Sequence, residues 1–294
     1  MRTLLNLLII GAVVFTISGS VYAQDTKTEV YEKIHIPYKK PIPYPYTREA
    51  DVLWSKVVWR MIDLREKMNL PLYYPLKPIG ERMSLVQLIF YGIDNEGLEV
   101  YDPDVEGGYD EFKVPMAKDK IDAKMGVEPK TIQVEDTLGN MVQKTIIGER
   151  NYDQVKKILI KEKWFFDRNY STLQVRILGI CPIRIYPREI KGGDVSMEAD
   201  ENAEMLMKKI CWVYYPGSRN LFSTHPIYNR FNDAQQISFD DLFMQRRFNG
   251  YIYAESNVYS NRLVSDYTTG IQTLLEGERI KESIINMEHD LWEY

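Results

Sequence analysis

The sequence contains few of the residues from which active sites are usually built. It has two cysteines and three histidines in 294 residues, and the histidines lie far apart, at His35, His225 and His289. Paired Cys/His spacings, an HExxH helix and a Gly-x-Ser-x-Gly elbow are missing, and so are phosphate-binding loops and dinucleotide fingerprints. These absences exclude the recognisable classes of zinc, serine and nucleotide-dependent enzymes. We therefore expect no catalytic residues, no metal and no cofactor.

An excess of positive charge is also lacking. The formal net charge is -5, and no stripe of lysine and arginine is present, which argues against nucleic acid as a partner. Carboxylates are plentiful, but nothing in the sequence selects a pair for glycosidase-type hydrolysis. The stretch from Asp102 to Glu106 resembles the start of a calcium loop. Lys113 stands where that loop needs a bidentate glutamate, so we interpret the stretch as an ordinary acidic turn.

Long apolar runs are missing beyond the N-terminus, so no direct membrane span is expected. The exception opens the chain, where Arg2 precedes an apolar segment from Leu4 to Phe15 and Val21-Tyr22-Ala23 resembles a cleavage site. We predict that residues 1–23 are a secretory signal peptide, too short to be a good membrane span. No cysteine follows the cleavage site to carry a lipid. The mature protein is thus expected to be exported and soluble, or held at a membrane only through partners.

Tyrosine, with 21 residues, is the abundant aromatic, and it alternates with proline in residues 24–48. Dense proline prevents a helix and favours an extended, polyproline II-like backbone. We predict an extended arm that packs either on its own domain or across a neighbouring subunit. In the second case, tyrosine and proline side chains of the arm would form a partner interface: Tyr38, Pro41, Pro43, Tyr44, Pro45 and Tyr46.

Residues 49–294 are expected to form an α+β domain, a compact mixture of helices and antiparallel strands. The apolar pattern of residues 53–69 predicts a first helix. Trp54 and Trp59 are five residues apart, about 140° around a helix, so they cannot share a face of it. We expect Trp59 to be covered by the arm or by another protein, and it joins the hypothetical partner interface.

Further elements follow from local signals along this domain. Ser84 and Ser238 are predicted to open helices, since serine is a preferred N-cap, and residues 152–164 are also predicted to be helical. A β-hairpin is expected near 131–147, an exposed and mobile loop at 187–205, and a break or kink of the C-terminal helices at Gly277. A repeated order of Tyr-Tyr-Pro, serine-opened helix, glycine and strand suggests an internal duplication, or is coincidence.

The two cysteines lie in predicted strands, Cys181 within 173–186 and Cys211 within 205–215. If these strands form a hairpin centred near Ser196, the two residues fall opposite each other. In an oxidising compartment such a pair is a candidate disulfide. Two buried thiols are the alternative, because free cysteine is also commonly buried.

Long stretches of the chain resemble the GldN (PorN) family of gliding motility proteins. They are "IPYPYTREADVLWSKVVWRMIDLREKMN", "WFFDRNYSTLQVRILGICPI", "WVYYPGSRNLF", "NRFNDAQQISFDDLFMQRRFNGYIYAESN" and "EHDLWEY", in that order. The resemblance implies a structural component of the type IX secretion system, without catalytic residues. It implies a periplasmic ring formed with the lipoprotein GldK (PorK) beneath the outer membrane, in contact with the motor protein GldM (PorM). The alternatives are an exported carboxylate-dependent hydrolase and a periplasmic adapter that forms no ring.

Overall fold

A long antiparallel hairpin forms the centre of the computed structural model, which describes residues 35–80, 82–104, 112–127, 129–135, 141–187, 205–232 and 234–291. The hairpin consists of strands β5 and β6, and β1 adds to it along almost the whole length of β5. The described strands are β1 (Val52–Asp63), β2 (Val100–Tyr101), β3 (Pro129–Glu135), β4 (Met141–Ile147), β5 (Val155–Asp167), β6 (Thr172–Pro187), β7 (Met205–Lys209), β8 (Trp212–Tyr214), β9 (Pro226–Ile227), β10 (Ile237–Ser238) and β11 (Tyr251–Glu255).

The main sheet has seven antiparallel strands in the order β11-β1-β5-β6-β8-β2, and β7 also pairs with β6. Two small hairpins, β3–β4 and β9–β10, stand outside it, and β3–β4 occupies the predicted place near 131–147. The helices are α1 (Leu70–Tyr73), α2 (Leu85–Asn95), α3 (Lys118–Met125), α4 (Tyr215–Thr224), α5 (Phe239–Met244) and α6 (Ile271–Asp290). The predicted α+β class is confirmed.

Two helices begin where serine N-caps were expected. Ser84 Oγ accepts a hydrogen bond from the backbone N–H of Gln87, whose side chain accepts one from the N–H of Ser84. Ser238 and Asp241 make the same reciprocal pair at α5. Each capping box satisfies two backbone donors that a helix start leaves unpaired. The starts of α2 and α5 are therefore encoded locally.

The main core lies between one face of the sheet and the helices α1 to α5. Leu88 of α2, Phe222 of α4 and Phe243 of α5 are buried there against Ile160 and Ile180 of the central hairpin. Helix α6 covers a separate cluster at the β11 edge of the sheet, made of Val58, Ile252, Val264, Ile280 and Ile284. The helices thus bury apolar side chains of the sheet.

The helix predicted for residues 53–69 is wrong, because Val52–Asp63 forms strand β1. Its apolar residues fit both the helical and the strand period, and two-sided burial removes the alternation that would have identified a strand. Pairing with β5 and β11 decides for the strand. In a strand, five residues place Trp54 and Trp59 on opposite faces.

The helix predicted for residues 152–164 is wrong for the same reason. Val155–Asp167 is strand β5, which pairs with β1 on one side and β6 on the other. Ile158 and Ile160 point into the main core, while Leu159 packs on the opposite face. A strand buried on both faces carries consecutive apolar residues, and these resemble the stripe of a helix.

The break expected at Gly277 is also absent, since α6 runs without interruption through Ile271–Asp290. Gly277 is buried, and a Cβ atom there would lie 3.3 Å from the carbonyl oxygen of Ile252. The glycine therefore allows the helix to approach the backbone of β11. Its role is a close contact rather than a helix end.

The described residues belong to one compact unit, His35–Tyr294, which includes residues 35–48 of the predicted arm. The first Tyr-Tyr-Pro ends beside α1, whereas the second opens α4, so the two halves of the suggested duplication differ there. Of the predicted loop 187–205, residues 188–204 lie outside the described residues. No helix among the described residues is long and apolar enough to span a lipid bilayer.

Candidate protein-binding surfaces

The described part of the arm, residues 35–48, lies on the protein's own helices and on β6. Ile36 at its start is fully buried. The carbonyl of Lys39 accepts a hydrogen bond from Ser223 Oγ of α4 at 3.2 Å, and its ammonium group forms an ion pair with Asp241 of α5. Burial alone would raise the pKa of Asp241, but hydrogen bonds from Lys39 and from the α5 cap lower it below 3.8.

Two arginines bind the backbone farther along the arm. Arg219 of α4 donates a hydrogen bond of 2.6 Å to the carbonyl of Ile42. Arg176 of β6 donates one of 2.7 Å to the carbonyl of Pro45. An extended polyproline-like segment has no internal hydrogen bonds, so its carbonyl groups need donors from elsewhere. Here the domain supplies those donors. The arm is consequently held at several points along its length.

Tyr44 lies between the same two arginines. Its ring centre is 4.4 Å from the guanidinium carbon of Arg219 and 5.1 Å from that of Arg176. Such cation–π contacts favour a half-buried ring, and burial raises the pKa of the Tyr44 phenol above its ordinary value. Tyr44 is thus an anchor of the arm on its own domain.

Beneath the arm, Arg219 belongs to a buried polar network. Its guanidinium donates two hydrogen bonds of 2.9 Å to Asp240, and both side chains are only 5% exposed. The phenol of Tyr215 donates a third bond to Asp240, at 2.6 Å. Burial, together with the neighbouring carboxylate, raises the pKa of Tyr215 well above its ordinary value. The network joins α4, α5 and the arm in one arrangement.

Three large side chains of the arm are exposed to solvent. Tyr38, Ile42 and Tyr46 are 83%, 74% and 89% exposed, and we call these three residues the arm ridge. Of the residues proposed for a partner interface, four are exposed and three are half-buried: Tyr38, Pro43, Pro45 and Tyr46 in the first group, and Pro41, Tyr44 and Trp59 in the second. An exposed ridge of tyrosine and isoleucine on an anchored backbone suits protein binding.

Trp59 lies on the sheet face opposite to the main core. It packs, with Tyr251 and Tyr253, on a cluster that includes Met61 and Trp212, and Lys161 lies 5.3 Å above its ring centre. The described members of this cluster come from strands and from Phe112, and none comes from a helix. Its aromatic side chains other than Trp212 are half-buried, and we call this surface the aromatic sheet face. It is the second candidate surface.

The two cysteines are buried, free thiols. Strand β7 pairs with β6 in the register predicted for a hairpin centred near Ser196. The pairing of β8 with β6 is shifted from this register by one residue, so that Val213 lies opposite Ile180. A one-residue shift moves side chains to the other face of a sheet. Cys181 accordingly packs with Trp212, whereas Cys211 lies in the helix-covered core. Burial raises the pKa of both thiols, to about 12 for Cys211.

The acidic turn near Asp102 makes ion pairs within the chain. Lys124 of α3 lies 3.0 Å from Asp102 and 2.7 Å from Asp104. Glu106 falls outside the described residues. Within the residues that the structure describes, no three histidine, cysteine or carboxylate side chains are grouped as metal ligands would be.

Sequence reasoning identified the arm but not the residues that hold it. Arg176, Arg219 and Asp240 are single charged residues in otherwise unremarkable segments, and no local motif marks them. Asp240 lies in the first turn of α5, where acidic residues are generally favoured, so its residue type gives no sign of a buried partner. Its pairing with Arg219 depends on how α4 and α5 meet, which no short-range signal contains.

Comparison with known proteins adds one finding. The chain matches the family model described as "Gliding motility associated protein GldN" over residues 47–293. That range begins at the end of the arm and includes all of the sheet and the helices. A comparison with curated proteins finds no match.

Proposed function

Because this chain belongs to the GldN family and is a component of the gliding motility and type IX secretion machinery, we propose that it acts there as a structural subunit. In this proposal it forms a periplasmic ring with a GldK (PorK)-like lipoprotein and contacts a GldM (PorM)-like motor protein. The observation that carries the proposal is the family match over residues 47–293. The lipoprotein would hold the ring at the outer membrane.

The two surfaces support an assembly role. A closed ring of identical subunits needs head-to-tail contacts, so each subunit must present two different patches. The arm ridge and the aromatic sheet face are built from different residues, and both contain several aromatic side chains. Aromatic residues are enriched in protein interfaces and in their energetic hot spots. These features fit a subunit with several neighbours.

Co-expression tests the proposal directly. Residues 24–294 would be produced with the GldK-like lipoprotein of the same organism, and the co-purified material examined by mass measurement and electron microscopy. We expect large rings that contain both proteins. A stoichiometric complex without rings would support the adapter alternative instead. A monomer that ignores the lipoprotein would refute the assembly role.

The two tryptophans of β1 provide a matched pair of variants. Trp54 and Trp59 are both half-buried on one strand, but Trp54 packs on the α6 cluster, whereas Trp59 lies on the aromatic sheet face. Trp54→Ala is expected to lower the midpoint of unfolding more than Trp59→Ala does. Trp59→Ala is expected to weaken co-purification with the partners more. If Trp59→Ala only destabilises the monomer, this surface is not an interface.

A further inference from the structure

The first turns of α6 carry an apolar patch that the described chain leaves exposed. Ile271, Leu274 and Leu275 are 76%, 51% and 64% exposed, although the other side of the helix is buried on β11. Residues three and four apart share one helix face, and that face continues to Glu282 and Ile285. We call this surface the α6 face. An exposed stripe of this composition is typical of a binding surface.

Aromatic residues and an arginine before α6 form a stack that contacts the helix. The guanidinium carbon of Arg262 lies 4.6 Å from the ring centre of Tyr259 and 4.4 Å from that of Tyr267. The Tyr267 phenol donates a hydrogen bond of 3.3 Å to Glu276 of α6. Through Glu276, this stack is tied to another side of the same helix. Tyrosine and arginine are the residue types most enriched in binding hot spots.

The charges of α6 and of the arm are complementary. Helix α6 carries five acidic and two basic side chains, whereas residues 35–48 contain Lys39, Lys40 and Arg48 and no acidic residue. Lys39 pairs with Asp241, and Arg48 pairs with Asp51. Opposite charges on two surfaces favour their encounter and set their orientation.

Each of the two surfaces also carries a charged side chain without an ion-pair partner among the described residues. Lys40 of the arm and Glu282 of α6 have no ion-pair partner among the residues that the structure describes. Glu282 lies between the apolar ends of the α6 face, and Lys40 lies between Tyr38 and Ile42 of the arm ridge. The two charges therefore occupy comparable places within their surfaces.

The lengths of the two surfaces also match. From Ile271 to Ile285 the α6 face extends about 21 Å, at 1.5 Å per residue. From Tyr38 to Tyr46 the arm ridge extends at most about 25 Å, at 3.1 Å per residue of extended polyproline-like chain. The arm backbone is already held by Arg219 and Arg176, so little conformational entropy is lost when the ridge binds.

We propose that the arm ridge of one subunit docks on the α6 face of a second copy of this chain. Helix α6 packs on β11, the edge strand of the sheet, whereas Arg176 binds the arm from β6, three strands away. Neighbouring strands are about 4.8 Å apart, so the contact joins different sides of two subunits. Such a contact is head-to-tail and can propagate into a ring. The inference deepens the proposed structural role and rests on it for its setting.

Site-directed cross-linking between two differently tagged mature chains tests the contact. One chain carries Tyr46→Cys and the other Leu275→Cys, and both replace exposed side chains. The native cysteines are buried, so they give little background. Under mild oxidation, we expect a disulfide that links the two tags. In the matched control, the chain with Leu275→Cys is exchanged for a chain with Phe231→Cys. Phe231 is 91% exposed but lies outside both surfaces.

Two results would overturn the proposal. One is a yield of linked tags no higher than that of the Phe231→Cys control. The other is a dominant product in which two Leu275→Cys chains are joined to each other, since that would indicate a symmetric helix-to-helix dimer. Testing the same chains with the GldK-like lipoprotein separates the two proposals. Rings without the cross-link would contradict only this contact, and the cross-link without rings would contradict only the proposed ring.

Charge exchange provides an independent test of orientation. Lys40→Glu in one chain or Glu282→Lys in the other is expected to lower the cross-linking yield about 2–5-fold, the range of an exposed ion pair. Combining the two reversed chains should restore the yield to within about 2-fold, because the pair is re-formed with opposite polarity. A combination that links no better than the worse single reversal would show that these charges do not meet.

Discussion

Replacing Arg219 by alanine is expected to destabilise the protein by about 3–5 kcal/mol. The reason is that Asp240 is only 5% exposed and would stay buried without its cationic partner and the two hydrogen bonds from the guanidinium. The Tyr215 phenol alone would remain as a donor to it. The variant also loses the hydrogen bond to the carbonyl of Ile42, a contribution of about 1 kcal/mol. The arm should become less firmly held as well.

Urea unfolding of the mature chain measures this loss as a shift of the midpoint at constant slope. The matched control is Arg65→Ala. Arg65 also makes two hydrogen bonds to a carboxylate, of 2.9 and 2.6 Å to Asp63, but its side chain is 63% exposed. The control is expected to cost at most about 1 kcal/mol, since water replaces a lost surface ion pair. Limited proteolysis within residues 35–48 would report the loosening of the arm.

A loss below about 1 kcal/mol in Arg219→Ala, equal to that of the control, would refute the reasoning. It would mean that water reaches Asp240 and that the pair is not desolvated. A double variant gives a second check, because removing Arg219 and Asp240 together leaves no unpaired charge. Its cost should be smaller than the sum of the two single losses.

Three further predictions follow from other parts of the fold. Gly277→Leu should destabilise by about 1–3 kcal/mol in thermal or urea unfolding, because the new side chain meets the backbone of β11; an unchanged midpoint would show that α6 can move away. The pKa of Asp241 is lowered below 3.8, so its pairing with Lys39 contributes stability above about pH 3.8 and loses it as the pH falls further. The midpoint of unfolding should therefore fall more steeply below that pH in the wild type than in Asp241→Asn, and parallel curves would contradict the assignment. Cys181 and Cys211 should react with a thiol reagent only on unfolding, since both are buried with raised pKa values; fast labelling of the native chain would exclude this burial.

Short-range sequence signals were sufficient to predict features that depend on residues close together in the chain. The capping boxes at Ser84 and Ser238 involve residues three apart, so the sequence contains both partners and the starts of α2 and α5 could be predicted. Dense proline likewise restricts its own backbone, which makes an extended arm predictable. The arm tyrosines could be recognised as candidate contacts. The sequence could not show which of these tyrosines face solvent.

Pairing between strands that are distant in the chain decided the features that the hydrophobic pattern left open. Residues 53–63 satisfy both a helical and a strand period, and only the ladders to β5 and β11 select the strand. The places of Cys181 and Cys211 depend on a one-residue register change between β7 and β8. Such a change leaves no mark in composition or spacing. It reverses which face each side chain occupies.

The sequence by itself determined the extended arm, the capped helices and, through long ordered stretches of similarity, the GldN family. Only the tertiary structure decided that Trp59 packs on the sheet face opposite to the main core, that Arg219 and Asp240 are buried together under the arm, and that α6 exposes apolar side chains. The physical reason is that caps and proline act within a few residues. Strand partners and buried ion pairs instead join residues that are distant in the chain and meet only when it folds.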